Sequence, residues 1–158
     1  MPSSVTHSRD KSGGTTGATD SLTRDTLLDT GPIVAALDAG DQWHDACRGL
    51  WPEAADRCIT TEAVVTEACH LVLRGGAPAV LPLQFLLSAR IPIVGLDSGG
   101  QRHAAQLMDR YADLPMDYAD AALVTLADAL HVQRILTTDR RGFKTYRGAR
   151  GRKFDILP

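Results

Sequence analysis

Four carboxylates stand where a folded chain gains little from carrying charge. Asp29 and Asp139 each follow an aliphatic run, "LL" and "RILTT", which puts both at the carboxyl ends of expected strands. Open parallel α/β sheets place their ligand crevice at that edge. Glu67 and Asp120 lie on expected helices, and their orientation follows from helical phase at about 100° per residue. Glu67 falls between Val64 and Leu71, on the inner flank of the stripe Val64, Val65, Ala68, Leu71 and Val72. Asp120 precedes Leu123 and Val124 by a helical turn, inside the face that Ala127 and Leu130 continue. Asp117 lies at the edge of that face, Asp128 farther round, and Glu62 projects away from the stripe of Glu67.

If the strands before Asp29 and Asp139 are neighbours, these two acids converge, and Glu67 and Asp120 can join them. Like charges so close raise one another's pKa, so the group protonates or disperses unless a cation holds it together. No equally obvious set of lysines or arginines falls inside the group. An all-oxygen donor set, without thiolate or clustered imidazole, selects Mg²⁺ or Mn²⁺ over zinc. Water kept by such an ion, with its pKa lowered, is a natural nucleophile for a phosphodiester. Singly, each acid has an ordinary role: Asp29 as a helix cap, Asp139 in a turn, Asp120 at a helix dipole, Glu67 reaching solvent. Only the four together make a site.

The elements that must position them read as α/β. From Leu22 onward, short aliphatic runs alternate with longer helical periods, the pattern of a mainly parallel sheet flanked by helices in an α/β/α sandwich. A first strand is expected over 24–28, and Thr30, Gly31 and Pro32 then open a helix. "DQWHDACRGLW" continues helically, and "CIT" is a short extended entry to a helix capped by Thr60 or Thr61 and stopped by Gly75 and Gly76. Residues 79–88 form an apolar helix; its stretch "VLPLQFLL" exceeds what a surface helix needs and suits interface or core. A buried strand over Ile91–Leu96 precedes a helix marked by Ala104, Leu107, Met108 and Tyr111. "LPMDYADAALVTLADAL" is the next helix, Arg134–Thr138 a strand ending at Asp139, and "FDIL" a last edge strand.

At 158 residues the chain suits one domain, expected over 22–158 after a disordered Ser/Thr/Gly-rich tail over 1–21. The net charge of -2 excludes a generally basic nucleic-acid binder, so any cationic surface must be local. One such stretch follows Asp139 directly: Arg140, Arg141, Lys144, Arg147, Arg150, Arg152 and Lys153, out of 17 Lys and Arg in all. Arg140, Arg141, Lys144 and Arg147 are candidate RNA-binding residues for backbone phosphates, the alternative being a solvated basic tail. Phe143 and Tyr146 either stack on bases or belong to the core. Cys47, Cys58 and Cys69 form no disulfide framework or metal spacing, and His44, His70 and His103 no ligand set. Without an 18-residue apolar run or a secretory h-region, a cytoplasmic location is expected.

With these residues in hand, the sequence resembles the PIN domain, specifically the VapC-type toxin ribonucleases of bacterial type II toxin–antitoxin pairs. The likeness spans roughly 27–146 and rests on "DTGPIVAALD", "TTEAVVTEACHLV", "LPMDYADAALVTLADA" and "ILTTDRRGF", which occur in the family's order. It implies that Asp29, Glu67, Asp120 and Asp139 bind Mg²⁺ or Mn²⁺ and activate water for RNA cleavage. Thr30 and Thr138 match polar neighbours that help position metal or water, and Asp117 borders the pocket. Asp120 is taken as the third acid over Asp117 because Asp-Ala precedes the apolar run. The resemblance further implies a small antitoxin covering the acidic groove and a homodimer. Where many relatives carry another carboxylate near the aromatic, this chain has Gly142 before Phe143. Two other readings compete: a silent PIN-fold module that binds RNA or a partner, and a phosphohydrolase. The latter would place DxD at the first strand, where this chain has Asp29, Thr30 and Gly31.

Overall fold

A computed structural model describes residues 24–114 and 116–157. The expected tail over 1–21 lies outside them. Five strands, β1 (Thr26–Leu28), β2 (Cys58–Thr61), β3 (Ile93–Val94), β4 (Arg134–Leu136) and β5 (Asp155–Leu157), form one parallel sheet in the order β3-β2-β1-β4-β5. Seven α-helices flank it among the described residues: α1 (Thr30–Leu37), α2 (His44–Ala54), α3 (Glu62–Arg74), α4 (Leu81–Ser88), α5 (Ser98–Arg110), α6 (Tyr118–Leu130) and α7 (Arg140–Thr145).

The α/β/α reading of the sequence is therefore the observed fold. β1 is central, and the chain steps outward through β2 and β3 before α5 and α6 return it to β4 on the other side of β1. The order thus reverses between β1 and β4, whose register pairs Leu27 with Ile135 and Leu28 with Leu136. At such a switch point the loops leaving two neighbouring strands diverge and open a crevice. Asp29 follows directly on β1, and its N–H still donates to the Leu136 carbonyl at 3.0 Å.

The core follows from the apolar runs. Leu27, Leu28, Ile135 and Leu136 are fully buried, as parallel strands covered on both faces require. Helix α6 is buried continuously from Ala121 to Ala127, and its small alanines let it lie close against α5 and β2. Thr61 caps α3 by accepting from the Val64 N–H, and Gly75 ends it. In α4, Pro82 and Leu86 are buried while Leu83 and Leu87, like Val80 just before the helix, remain exposed, so the apolar stretch is core on one side and surface on the other.

Several boundaries differ from the sequence reading. The third strand is only Ile93–Val94 and half-buried, where a buried run over Ile91–Leu96 is expected, and two further differences lie near the site. The fourth strand ends at Leu136 rather than at Asp139, because the Thr137 hydroxyl accepts from the Asp139 N–H and bends the backbone out of the sheet. Helix α7 then follows; its six residues are too short for a helical period to show in the sequence. Phe143, fully buried, meets Tyr146 and Phe154 edge-on at 5.4 and 5.7 Å between centroids and fastens α7 to the body. Phe143→Ala is expected to cost about 3–5 kcal/mol in urea denaturation; a cost below about 1 kcal/mol, surface-like, would show that α7 is not anchored there.

Candidate active site

The site is built from helix beginnings at the carboxyl edge of the sheet. Asp29 leaves β1 in extended conformation and caps α1, its Oδ1 accepting from the Thr30 N–H at 2.7 Å. Its Oδ2 accepts from the Thr137 hydroxyl at 2.6 Å, which ties the ends of β1 and β4 together. The residue is only 6% exposed. Burial pushes its carboxyl up to about 6 against the pull of those two hydrogen bonds, and the charges of Glu67 and Asp117 push the same way.

Thr30 links the first acid to the second. Its hydroxyl donates to Glu67 Oε2 at 2.6 Å, and Glu67 is held half-buried on the inner side of α3. Burial, then the neighbouring Asp117, raise the Glu67 carboxyl above its ordinary value. Asp117 caps α6 by accepting from the Asp120 N–H at 2.9 Å. Asp120, in the first turn, accepts from the Tyr146 hydroxyl at 3.2 Å. Burial carries Asp120 up to about 8, with further pushes from Asp117 and Asp29 and a smaller one from Asp139, opposed by Tyr146.

Asp29, Glu67, Asp117 and Asp120 thus lie within one another's electrostatic reach. Asp139 stands apart at the exposed rim, three residues beyond β4 rather than at the strand end, and turns its Oδ1 to the N–H groups of Arg141 and Gly142 at 3.1 Å each. Among the described residues, none of these acids pairs with a lysine or arginine. As the side chains stand, no three acids, histidines or cysteines among the described residues are drawn close enough to grip an ion. The donor chemistry nevertheless fits a hard divalent cation: all oxygen, desolvated, and mutually repelling without a counter-charge.

Thr138, expected to help position metal or water, does not make these contacts. It packs on Gly31, where a Cβ would overlap its hydroxyl. Thr137 takes the bridging role instead, receiving the Asp139 N–H and donating to Asp29. Choosing the hydroxyl adjacent to Asp139 missed it, although "TTD" offered both. Tyr146 was also missed as a partner of Asp120. Both it and Phe143 are buried, so neither is free to stack on a base.

Of the basic stretch, Arg141 and Lys144 point into solvent, while the Arg140 guanidinium lies 5.8 Å from the centroid of Trp43. Arg147 spends its Nη1 on the carbonyls of Lys144, Thr145 and Tyr146. Beside the acids, a groove of about 660 Å³ is lined by Glu62, Glu67 and Asp117 together with Val94, Leu96 and Ala122. His44 bonds the Ala35 carbonyl and His103 faces Asp128, both away from the acids.

Asp29 and Asp120 bind protons more tightly folded than in an unfolded chain, where both would titrate near 3.8. Their stabilising effect is complete below that value and is lost as pH rises through about 6 and then about 8. In chelator, the melting temperature is therefore expected to fall between about pH 5 and about pH 8.5, and Asp120→Asn to flatten the upper part of the fall. A melting temperature that rises over this range would contradict the burial of these acids.

Comparison with known proteins agrees with this architecture. The PIN domain family model matches residues 26–149. Ribonuclease VapC26 of Mycobacterium tuberculosis is 32% identical over 134 residues, which cover 84% of this chain and 99% of that protein. Among solved structures, VapC20 of Mycobacterium tuberculosis, a Sarcin-Ricin loop cleaving toxin, superposes with a TM-score of 0.68 at 20% identity over 73% of this chain and 91% of that one. VapBC2 from Rickettsia felis, bound to a promoter DNA fragment, gives 0.62 at 16% identity over 84% and 98%. The sheet order, the acids at its carboxyl edge and the near end-to-end match to a VapC protein together make this chain a member of the PIN-domain family, of the VapC type.

Proposed function

We propose that this chain is a divalent-metal-dependent endoribonuclease that hydrolyses RNA phosphodiester bonds as the toxin of a toxin–antitoxin pair in the cytoplasm. The observation that carries this reading is the set of buried, mutually repelling carboxylates without a cationic partner among the described residues. Likeness to a protein named as a ribonuclease supports it.

Asp29, Glu67, Asp120 and Asp139 are the residues that would hold Mg²⁺ or Mn²⁺. A bound ion of this kind offers water of lowered pKa and neutralises charge on a phosphoryl oxygen. The chain's own contribution is positioning. Thr137 and the Thr30 N–H fix both oxygens of Asp29, and the Thr30 hydroxyl fixes Glu67. Asp117 sets the Asp120 backbone and adds negative charge that favours cation over proton-free repulsion. Asp139, on a short helix beginning, would have to leave the Arg141 and Gly142 amides to join. Arg141 and Lys144 are the readiest phosphate contacts; Arg140 reaches out once it leaves Trp43, and Arg147 has a second guanidinium nitrogen to offer.

The acidic and apolar groove suits a basic, apolar segment of a small antitoxin better than a polyanion. Solved complexes of the same fold, including a toxin–antitoxin complex from Klebsiella pneumoniae with a TM-score of 0.54 at 16% identity, support such a partner. Exposed Val80, Leu83 and Leu87, at the start and along one side of α4, support a homodimer.

A titration of Mn²⁺ or Mg²⁺ against purified protein and a structured RNA tests the reading. Wild type should cleave in proportion to bound metal, and Asp29→Asn should lose about 10²-fold or more in rate, since altering residues merely behind metal ligands already costs about 10–100-fold. Expressed without a partner, wild type should arrest growth and Asp29→Asn should not. Equal cleavage or equal arrest by the two proteins would mean that the active-site assignment is wrong, and no metal-dependent cleavage by wild type would leave a silent, binding-only module as the better account.

A further inference from the structure

We propose that Tyr146 is a positioning residue for the acidic site: its hydroxyl, held by an aromatic cluster at the end of α7, orients Asp120 toward a divalent ion. The proposal rests on the metal-dependent reading above and extends it to a residue outside the acid set.

The geometry is specific. Tyr146 is the residue after α7, only 3% exposed, and its N–H is fixed to the Gly142 carbonyl at 2.9 Å. Its ring meets Tyr111 and Phe143 edge-on, with centroids 5.2 and 5.4 Å away. Gly142 closes a third side: a Cβ there would lie 2.9 Å from the Tyr146 Cε2 and 3.2 Å from its Cζ. Glycine at 142 is therefore what allows the ring to lie down against its helix. So placed, the hydroxyl donates to Asp120 Oδ2 at 3.2 Å.

The arrangement has a physical use. Asp120 sits on α6 and Tyr146 follows α7, so this hydrogen bond is a tie between the helix that carries the third acid and the segment that carries the fourth. It leaves the other Asp120 oxygen for a ligand. A neutral hydroxyl does this without supplying a positive charge that would compete with an incoming cation. Burial and the surrounding acids keep the phenol protonated, so it remains a donor. Outer partners of metal-binding carboxylates typically govern metal affinity by about 10–100-fold.

The closing experiment uses the full chain and Mn²⁺ alone, without RNA, reading the free-ion signal by electron paramagnetic resonance together with thermal melts. Tyr146→Phe keeps the ring and its aromatic contacts and removes only the hydroxyl. It should raise the Mn²⁺ dissociation constant by about 10-fold while the melting temperature stays close to wild type. Tyr111→Phe is the control, since that hydroxyl accepts from the Arg147 N–H at 3.1 Å in the same cluster and does not bond Asp120; its Mn²⁺ affinity should match wild type. Asp120→Asn should lose most Mn²⁺ binding. If Asp120→Asn loses binding but Tyr146→Phe binds as wild type does, the role of Tyr146 is overturned and the metal site stands. Equal weakening by Tyr146→Phe and Tyr111→Phe would reduce the effect to general loosening and also overturn it. Wild-type binding by Asp120→Asn would remove the metal reading and this inference together.

Discussion

Crowding of carboxylates at one edge of a parallel sheet is the constraint around which the rest of this molecule is arranged. A carboxylate as buried as Asp29, with Glu67 one hydroxyl away and Asp120 in range, is unfavourable in its charged form. The fold offsets part of that cost with helix beginnings, where unpaired N–H groups and the dipole favour negative charge. Asp29 caps α1, Asp117 caps α6 with Asp120 in its first turn, and Asp139 caps α7. Hydroxyl donors from Thr30, Thr137 and Tyr146 add to this. These neutral donors moderate the repulsion but do not neutralise it, and that remaining repulsion is what the proposed cation would relieve.

Topology supplies the convergence. Because β1 is central and β4 joins it from the opposite direction to β2, the loops carrying Asp29 and Thr137 start side by side and can be linked by one hydrogen bond. Helix α6 reaches the same edge because its buried alanine-rich face lets it pack closely on β2 and α5. The apolar core and the acidic edge are consequently one design: shifting β4 by one residue would exchange the faces that Ile135 and Leu136 pack against and move the Thr137 hydroxyl away from Asp29.

Much of this was legible in the sequence. The aliphatic runs located all five strands, and helical phase turned Glu67 and Asp120 inward while leaving Glu62 exposed. Contacts between distant residues were not legible. The Thr137 hydroxyl bonds Asp29 across 108 positions and Tyr146 bonds Asp120 across 26, and nothing local in "TTD" or "FKTYR" marks either. The boundary at Asp139 was misplaced for a related reason: a threonine favours strand by its branching, yet here its hydroxyl bonds the backbone two residues on and ends the strand. Tyr146 and Phe143 leave base stacking open in the sequence, although single aromatics among basic residues more often belong to the core, and burial places both there.

The most direct measurement of the central claim is a crystal of the protein grown with Mn²⁺ and examined at the manganese absorption edge. The expected result is an anomalous peak enclosed by the carboxylates of Asp29, Glu67 and Asp120, with Asp139 turned inward from the Arg141 and Gly142 amides and oxygen distances of about 2.0–2.3 Å. A crystal at saturating Mn²⁺ with no peak among these acids, or with manganese bound only elsewhere, would contradict it.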